Sequence, residues 1–109
     1  MPESKLISYI TSDFQTKSDM KVGETEWEII MNEKFEKFKK AGAIRQTVTQ
    51  IWNKEGTLRL GHLWEYKDEK AFVECQKIFR EAEIEFKKKT GIIWKVLKNR
   101  GIVLYDVIY

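Results

Sequence analysis

Two helical hydrophobic series, each closed by a glycine and each set between runs of β-forming residues, constrain this chain more than any other feature. In the first, Trp27, Ile30 or Met31, Phe35, Phe38 and Ala41 recur at steps of three and four, with Glu28, Glu33, Glu36, Lys37 and Lys40 between them. That spacing gives a helix one apolar face. Gly42 follows where a left-handed C-terminal cap is wanted. The second series, Ala71 or Phe72, Cys75, Ile78 or Phe79, Ala82 and Phe86, begins after the capping residue Asp68 and stops at Thr90 and Gly91. Two amphipathic helices are predicted. Thr25 and Glu28 offer a capping box just ahead of the first, which leaves residues 15–24 as a loop or a frayed helix start.

The runs between the helices are strand-like. Residues 5–14 (KLISYITSDF) put Leu6, Ile10 and Phe14 on one face and Ile7 and Tyr9 on the other. Residues 43–52 are rich in Thr, Val and Ile, residues 57–66 (TLRLGHLWEY) are again β-like, and the turn Asn53-Lys54-Glu55-Gly56 between them predicts an antiparallel hairpin. Residues 92–98 (IIWKVLK) fit a short strand or a helical extension equally. Asn99-Arg100-Gly101 reads as a turn, so the last strand is expected over residues 102–109 (IVLYDVIY). The order βαββαβ makes an α+β fold, a four-stranded antiparallel sheet with two helices on one face.

Two helices cover only one face of such a sheet, and the other should be polar in a monomer. The first and last strands instead read apolar on both faces. A face of roughly 400 Å² left wet is a conspicuous patch, and covering it with an identical copy needs only one self-complementary surface. A homodimer through the sheet face is the expectation.

The chain has 109 residues, enough for one core, so residues 1–109 are expected to form a single domain. Twenty Lys and Arg against 17 Asp and Glu give a net charge of +3, and the signs alternate along the helices. The densest basic run, Lys87-Lys88-Lys89, answers the dipole of its own helix end. The single Cys75 excludes an internal disulfide, and Cys75 with His62 is too small a set for a zinc site, so neither metal nor cofactor is expected. No run of 18 apolar residues and no leader-like start is present, which points to a cytoplasmic protein without a membrane partner. No phosphate-cradling glycine loop, nucleophile elbow or zinc-protease signature occurs.

Three side-chain groups suggest a site. His62 is the one histidine, centred on a strand beside Trp64, and a neutral imidazole there can act as a general base or hold a carboxylate or phenol. The four Trp residues, with Tyr9, Tyr66 and Tyr105, suit an aromatic pocket as well as a core. Ser8 and Ser12, if they lie among apolar neighbours on the helix side of the first strand, suit a polar-lined cavity better than a dry core; on the other face they are solvated. Cys75 on an apolar stripe reads as an inert thiol. The candidate ligand-binding set is Ser8, Trp27, His62, Trp64, Tyr66, Cys75, Phe79, Trp94 and Tyr105, with His62 the candidate catalytic residue.

The passage Leu63-Trp64-Glu65-Tyr66-Lys67-Asp68-Glu69-Lys70-Ala71-Phe72 and the end Ile102-x-x-Tyr105-Asp106-Val107-x-Tyr109 resemble the dimeric α+β barrel superfamily, which includes antibiotic biosynthesis monooxygenases, NIPSNAP and Dabb-like proteins. The resemblance implies a ferredoxin-like fold, two sheets closing into a barrel between protomers, and ligands held between sheet and helices. It allows either a binder of a small hydrophobic, aromatic or fatty-acid-like molecule or a cofactor-independent monooxygenase. Haem-degrading members use an Asn, a Trp and a His that fall here on Ile10, Cys75 and residues 83–85, so haem degradation is not implied. The βαββαβ order is shared with RNA-recognition motifs, but registering Gly61 on their strand signature leaves Leu58, Arg59, Leu60, His62 and Glu65 mismatched, and nucleic acid is not an expected partner.

Overall fold

A computed structural model describes residues 5–109. Met1, Pro2, Glu3 and Ser4, where the sequence shows no leader-like start, lie outside them. Among the described residues the chain forms, in order, β1 (Leu6–Phe14), α1 (Lys17–Glu33), α2 (Phe35–Ala41), β2 (Ala43–Gln50), β3 (Arg59–Tyr66), α3 (Glu69–Thr90) and β4 (Trp94–Ile102). The strands make one antiparallel sheet in the order β2-β3-β1-β4.

The first helix begins eight residues before the capping box. Thr16 is its N-cap, accepting a hydrogen bond from the Asp19 amide at 3.0 Å, and the Thr25 hydroxyl instead donates to the Lys21 carbonyl within the helix. Thr16 is itself a good cap, and the stretch after it, with only Met20 and Val22 apolar before Trp27, shows no recurring apolar face, which hid it. The single first helix expected from residues 27–41 is interrupted at Lys34, so three helices cover the sheet where two were expected. Gly42 and Gly91 take left-handed conformations, with φ of 106° and 65°, and close α2 and α3 as the sequence predicts. Asp68 caps α3 through a 2.8 Å bond from the Ala71 amide.

The last strand is the main correction. β4 occupies residues 94–102, so the open 92–98 stretch is mostly strand, and Asn99-Arg100-Gly101 lies inside the ladder opposite Tyr9, Ser8 and Ile7 rather than in a turn. Residues 104–109 are not in a strand, and Leu104 and Tyr105 are 90% and 85% exposed. β-Rich composition marked this tail as a strand, but β1 has only nine ladder positions, and β4 fills them before the tail begins.

Side-chain alternation then separates two faces. Leu6, Ser8, Ile10, Ser12 and Phe14 of β1, Leu60, His62, Trp64 and Tyr66 of β3, and Trp94, Val96, Lys98 and Arg100 of β4 turn toward the helices. There Trp64 and Tyr66 join Ile30, Met31, Phe38, Ala71, Cys75, Phe79, Ala82 and Phe86 in one buried cluster. Its centre is aromatic: Trp64 lies 4.6 Å from Phe79 and 4.8 Å from Phe38. Ile7, Tyr9, Leu63 and Leu97 turn to the uncovered face, which Thr11, Thr47 and Thr49 share.

Candidate functional site

A slot opens between the sheet and α1 and α3, toward β4. Its floor is β1 and β3, contributing Ser8, Ile10, Ser12, Leu60, His62 and Trp64; Trp27 and Phe79 wall it, and Lys98, Arg100 and Glu83 stand among its lining charges. The enclosed part measures about 60 Å³. One close approach shapes it: a Cβ on Gly23 of α1 would stand 2.8 Å from the Phe14 ring, so a larger residue would have to displace that ring.

Polar atoms inside this apolar wall lack partners. Ser8 Oγ, Trp27 Nε1, Trp64 Nε1 and His62 Nδ1 are buried and have no hydrogen bond among the described residues. Buried donors normally find an acceptor, in protein or in water. Four such atoms fall in this one slot.

His62 is held by β3 between Ile10 of β1 and Val48 of β2, with the Trp27 ring edge-on at 6.2 Å. Burial lowers its pKa to about 4, so the imidazole is neutral at pH 7. The Tyr66 phenol is raised above its ordinary range by burial; the Ser8 hydroxyl and the Gln76 amide work against that rise without closing a full hydrogen bond. Cys75 is wholly buried, and burial pushes its thiol up to about 11, the profile of an unreactive sulfur.

The structure brings six of the nine candidate ligand residues together: Ser8, Trp27, His62, Trp64, Phe79 and Trp94 line the slot. Tyr66 lies behind it, stacked on Trp64 at 6.1 Å, and Cys75 belongs to the core cluster. Tyr105 is on the exposed tail beyond β4 and does not line the slot, because the strand meant to carry it ends at Ile102. Sequence reasoning missed Lys98, Arg100, Glu83 and Gln76. The signal for the first two was present in the alternation Trp94, Val96, Lys98, Arg100, but reading Arg100 as part of a turn broke the period.

The mouth is electrostatically uneven. Lys98 reaches Glu83 across it at 3.4 Å. Arg100 rests over the Phe72 ring at 4.7 Å. Among the described residues no group of three or more His, Cys, Asp or Glu is placed to hold a metal ion, and no helix is long and apolar enough to cross a membrane. A second hollow, between α2 and β2, is wider at about 650 Å³, but it is an open surface depression that shares only Trp64 with the slot.

The family model described as Domain of unknown function (DUF6974) matches residues 3–103. The chain belongs to this family. None of the curated proteins matches the sequence. Among solved structures, this DUF6974 chain is similar to a dimeric ferredoxin-like protein from an uncultured marine organism, with TM-score 0.84, 22% identity, and 99% of this chain and 95% of that one covered. A second dimeric ferredoxin-like protein, also from an uncultured marine organism, gives 0.85 and 23%, covering 96% and 100%. A monooxygenase, ActVA-Orf6 of Streptomyces coelicolor, in complex with nanaomycin D, gives 0.69 and 12%, covering 100% and 96%. The ferredoxin-like α+β fold, and its likeness to antibiotic biosynthesis monooxygenase-type proteins, hold as the sequence suggested.

Proposed function

We propose that this DUF6974 protein is one domain that binds a small, largely apolar molecule in the slot, and that it works as a homodimer joined through the uncovered sheet face. The carrying observation for the ligand is the set of four unpartnered polar atoms in an aromatic wall. A dry core would have replaced them with apolar atoms, since each unpartnered buried group costs about 1–3 kcal/mol. A bound molecule that meets them with its own polar atoms removes that cost. Native mass spectrometry of the purified protein, followed by solvent extraction, tests it: a retained small molecule is expected. Loss of that molecule on Trp27→Ala, with an unchanged fold, would tie it to the slot.

For the dimer, Tyr9 and Leu97 stand about half or more exposed on the uncovered face, and the tail adds Leu104, Tyr105, Val107 and Ile108, all exposed. The radius of gyration, 14.4 Å, exceeds the roughly 13 Å of a compact chain this long, in keeping with a tail projecting from the body. Two of the similar structures are themselves dimeric. Sedimentation equilibrium at micromolar concentration should give twice the chain mass, and Tyr9→Asp with Leu97→Asp should give the single mass. A wild-type monomer under these conditions would end the proposal.

A second reading is favoured by His62. A neutral imidazole lining the slot can accept a hydrogen bond from a bound phenol and so orient it; with a pKa of about 4 it is a weak base, so loss of the phenolic proton has to be driven by the reaction with oxygen. ActVA-Orf6, a monooxygenase, shares the fold. Oxygen consumption with phenolic or hydroquinone substrates, lost in His62→Ala and kept in Cys75→Ala, would favour turnover over binding.

A further inference from the structure

We propose that the mouth of the slot is a carboxylate seat, and that its ligand class is a monocarboxylic acid with a slender apolar tail; this rests on the ligand reading above and narrows it. Lys98 and Arg100 alternate on β4 and turn to the same face, opposite Ile10 and Ser8, about 7 Å apart along the strand. Among the described residues one carboxylate, Glu83, lines the slot with them, and it sits on Lys98 at 3.4 Å. Arg100 has no carboxylate partner among the described residues, and its guanidinium carbon lies 4.7 Å from the centre of the Phe72 ring. A guanidinium over a ring keeps N–H donors for a planar anion, and a carboxylate accepts them through two parallel bonds.

The inner side of the same position supplies another donor. Ser8 pairs with Arg100 in the β1 and β4 ladder, is 3% exposed, lines the slot and has no hydrogen bond among the described residues. A carboxylate seated by Arg100 can place one oxygen toward that hydroxyl and the other toward Lys98. The tail is then directed inward past Ile10 and Phe79 toward the Trp27 and Trp64 rings. An enclosed volume of about 60 Å³ is smaller than the roughly 150 Å³ that encloses benzene, so only the end of a slender tail is enclosed, the carbons next to the carboxylate lie in the open mouth, and a fused ring system is excluded. Glu83 is the built-in competitor for the cations.

The test is a titration of the full ¹⁵N-labelled chain with octanoate and with octanamide, which share a tail and differ in charge, read on the Trp27 and Trp64 indole N–H resonances. Octanoate should bind about tenfold more tightly than octanamide at low salt. Arg100→Gln should cut that preference to about threefold, the part that Lys98 still supplies, and weaken octanamide far less than octanoate, while Glu83→Gln should tighten octanoate about threefold. Both residues are on the surface, so dispersed spectra confirm that the variants fold. Equal binding of the two probes by the wild type, or an Arg100→Gln loss shared equally by both, overturns the carboxylate seat and leaves the ligand reading in place. Indole resonances that move with neither probe overturn both.

Discussion

β3 and β4 send alternate side chains toward the same helices, yet the outcomes differ. β3 delivers Leu60, His62, Trp64 and Tyr66 into a covered interior, where three of the four are nearly inaccessible. β4 delivers Trp94, half-buried against Phe86, and then Val96, Lys98 and Arg100, all three exposed. The difference is position in the sheet: β3 is an inner strand beneath the helices, and β4 is an edge that they cover at one end. An inner strand declares itself by hydrophobicity. An edge strand that the helices cover at only one end meets solvent along the rest, and its polarity reports that exposure rather than the fold.

The largest contrast lies in stability. Phe79 touches Trp27, Phe38 and Trp64, so Phe79→Ala removes a ring that the surrounding aromatics cannot replace. It should cost about 3–5 kcal/mol in urea unfolding. Val96→Ala, on the helix side of β4 but 37% exposed, should cost less than about 1 kcal/mol. Similar values for the two would dissolve the distinction between an inner and an outer strand.

His62 sharpens the same comparison through pH. Its folded pKa of about 4 lies below the ordinary 6.5, so between those values the unfolded chain holds the extra proton. The stability tied to neutral His62 is complete above pH 6.5 and is lost as pH falls toward 4, by at most about 3 kcal/mol. His62→Gln should flatten that part of the profile. An unchanged slope in the variant would mean that the imidazole is more hydrated than its place on β3 implies.

These contrasts account for how much could be read without coordinates. The helices ended by Gly42 and Gly91, the hairpin, and β1 and β3 were legible because burial writes a strong period into them. So were Trp27, His62, Trp64 and Phe79 as neighbours across three elements, since the fold order fixes which faces meet. β4 was not, for two reasons. Asn99-Arg100-Gly101 has turn composition although an edge strand accepts it, and the tail has strand composition although the ladder has no place left for it. Local composition competes there with tertiary register, and register wins. The seat at Lys98 and Arg100 disappeared from view with the strand that carries it.

A smaller effect separates the two threonines at the first helix. Thr16→Ala removes the side chain that accepts from Asp19 and should cost about 1 kcal/mol. Thr25→Ala replaces a mid-helix residue whose hydroxyl only bonds back to Lys21, so the change should stay within about 0.5 kcal/mol. The reverse order in thermal unfolding would restore Thr25 as the start of the helix.

The smallest effect is expected where the slot is most open. Lys98 and Glu83 meet at 3.4 Å, but about a third of each side chain is in solvent, so their attraction is screened and is offset by the entropy of holding two long chains. A double-mutant cycle with Lys98→Met and Glu83→Gln should give a coupling of about 0.5 kcal/mol or less, falling further in 0.5 M salt. A coupling above about 1.5 kcal/mol that persists in salt would describe a desolvated pair, and a mouth that dry would make β4 an interior strand like β3. A weak, salt-sensitive pair is instead what an exchangeable contact requires, because a carboxylate arriving from solution can displace Glu83 only if Glu83 holds Lys98 loosely.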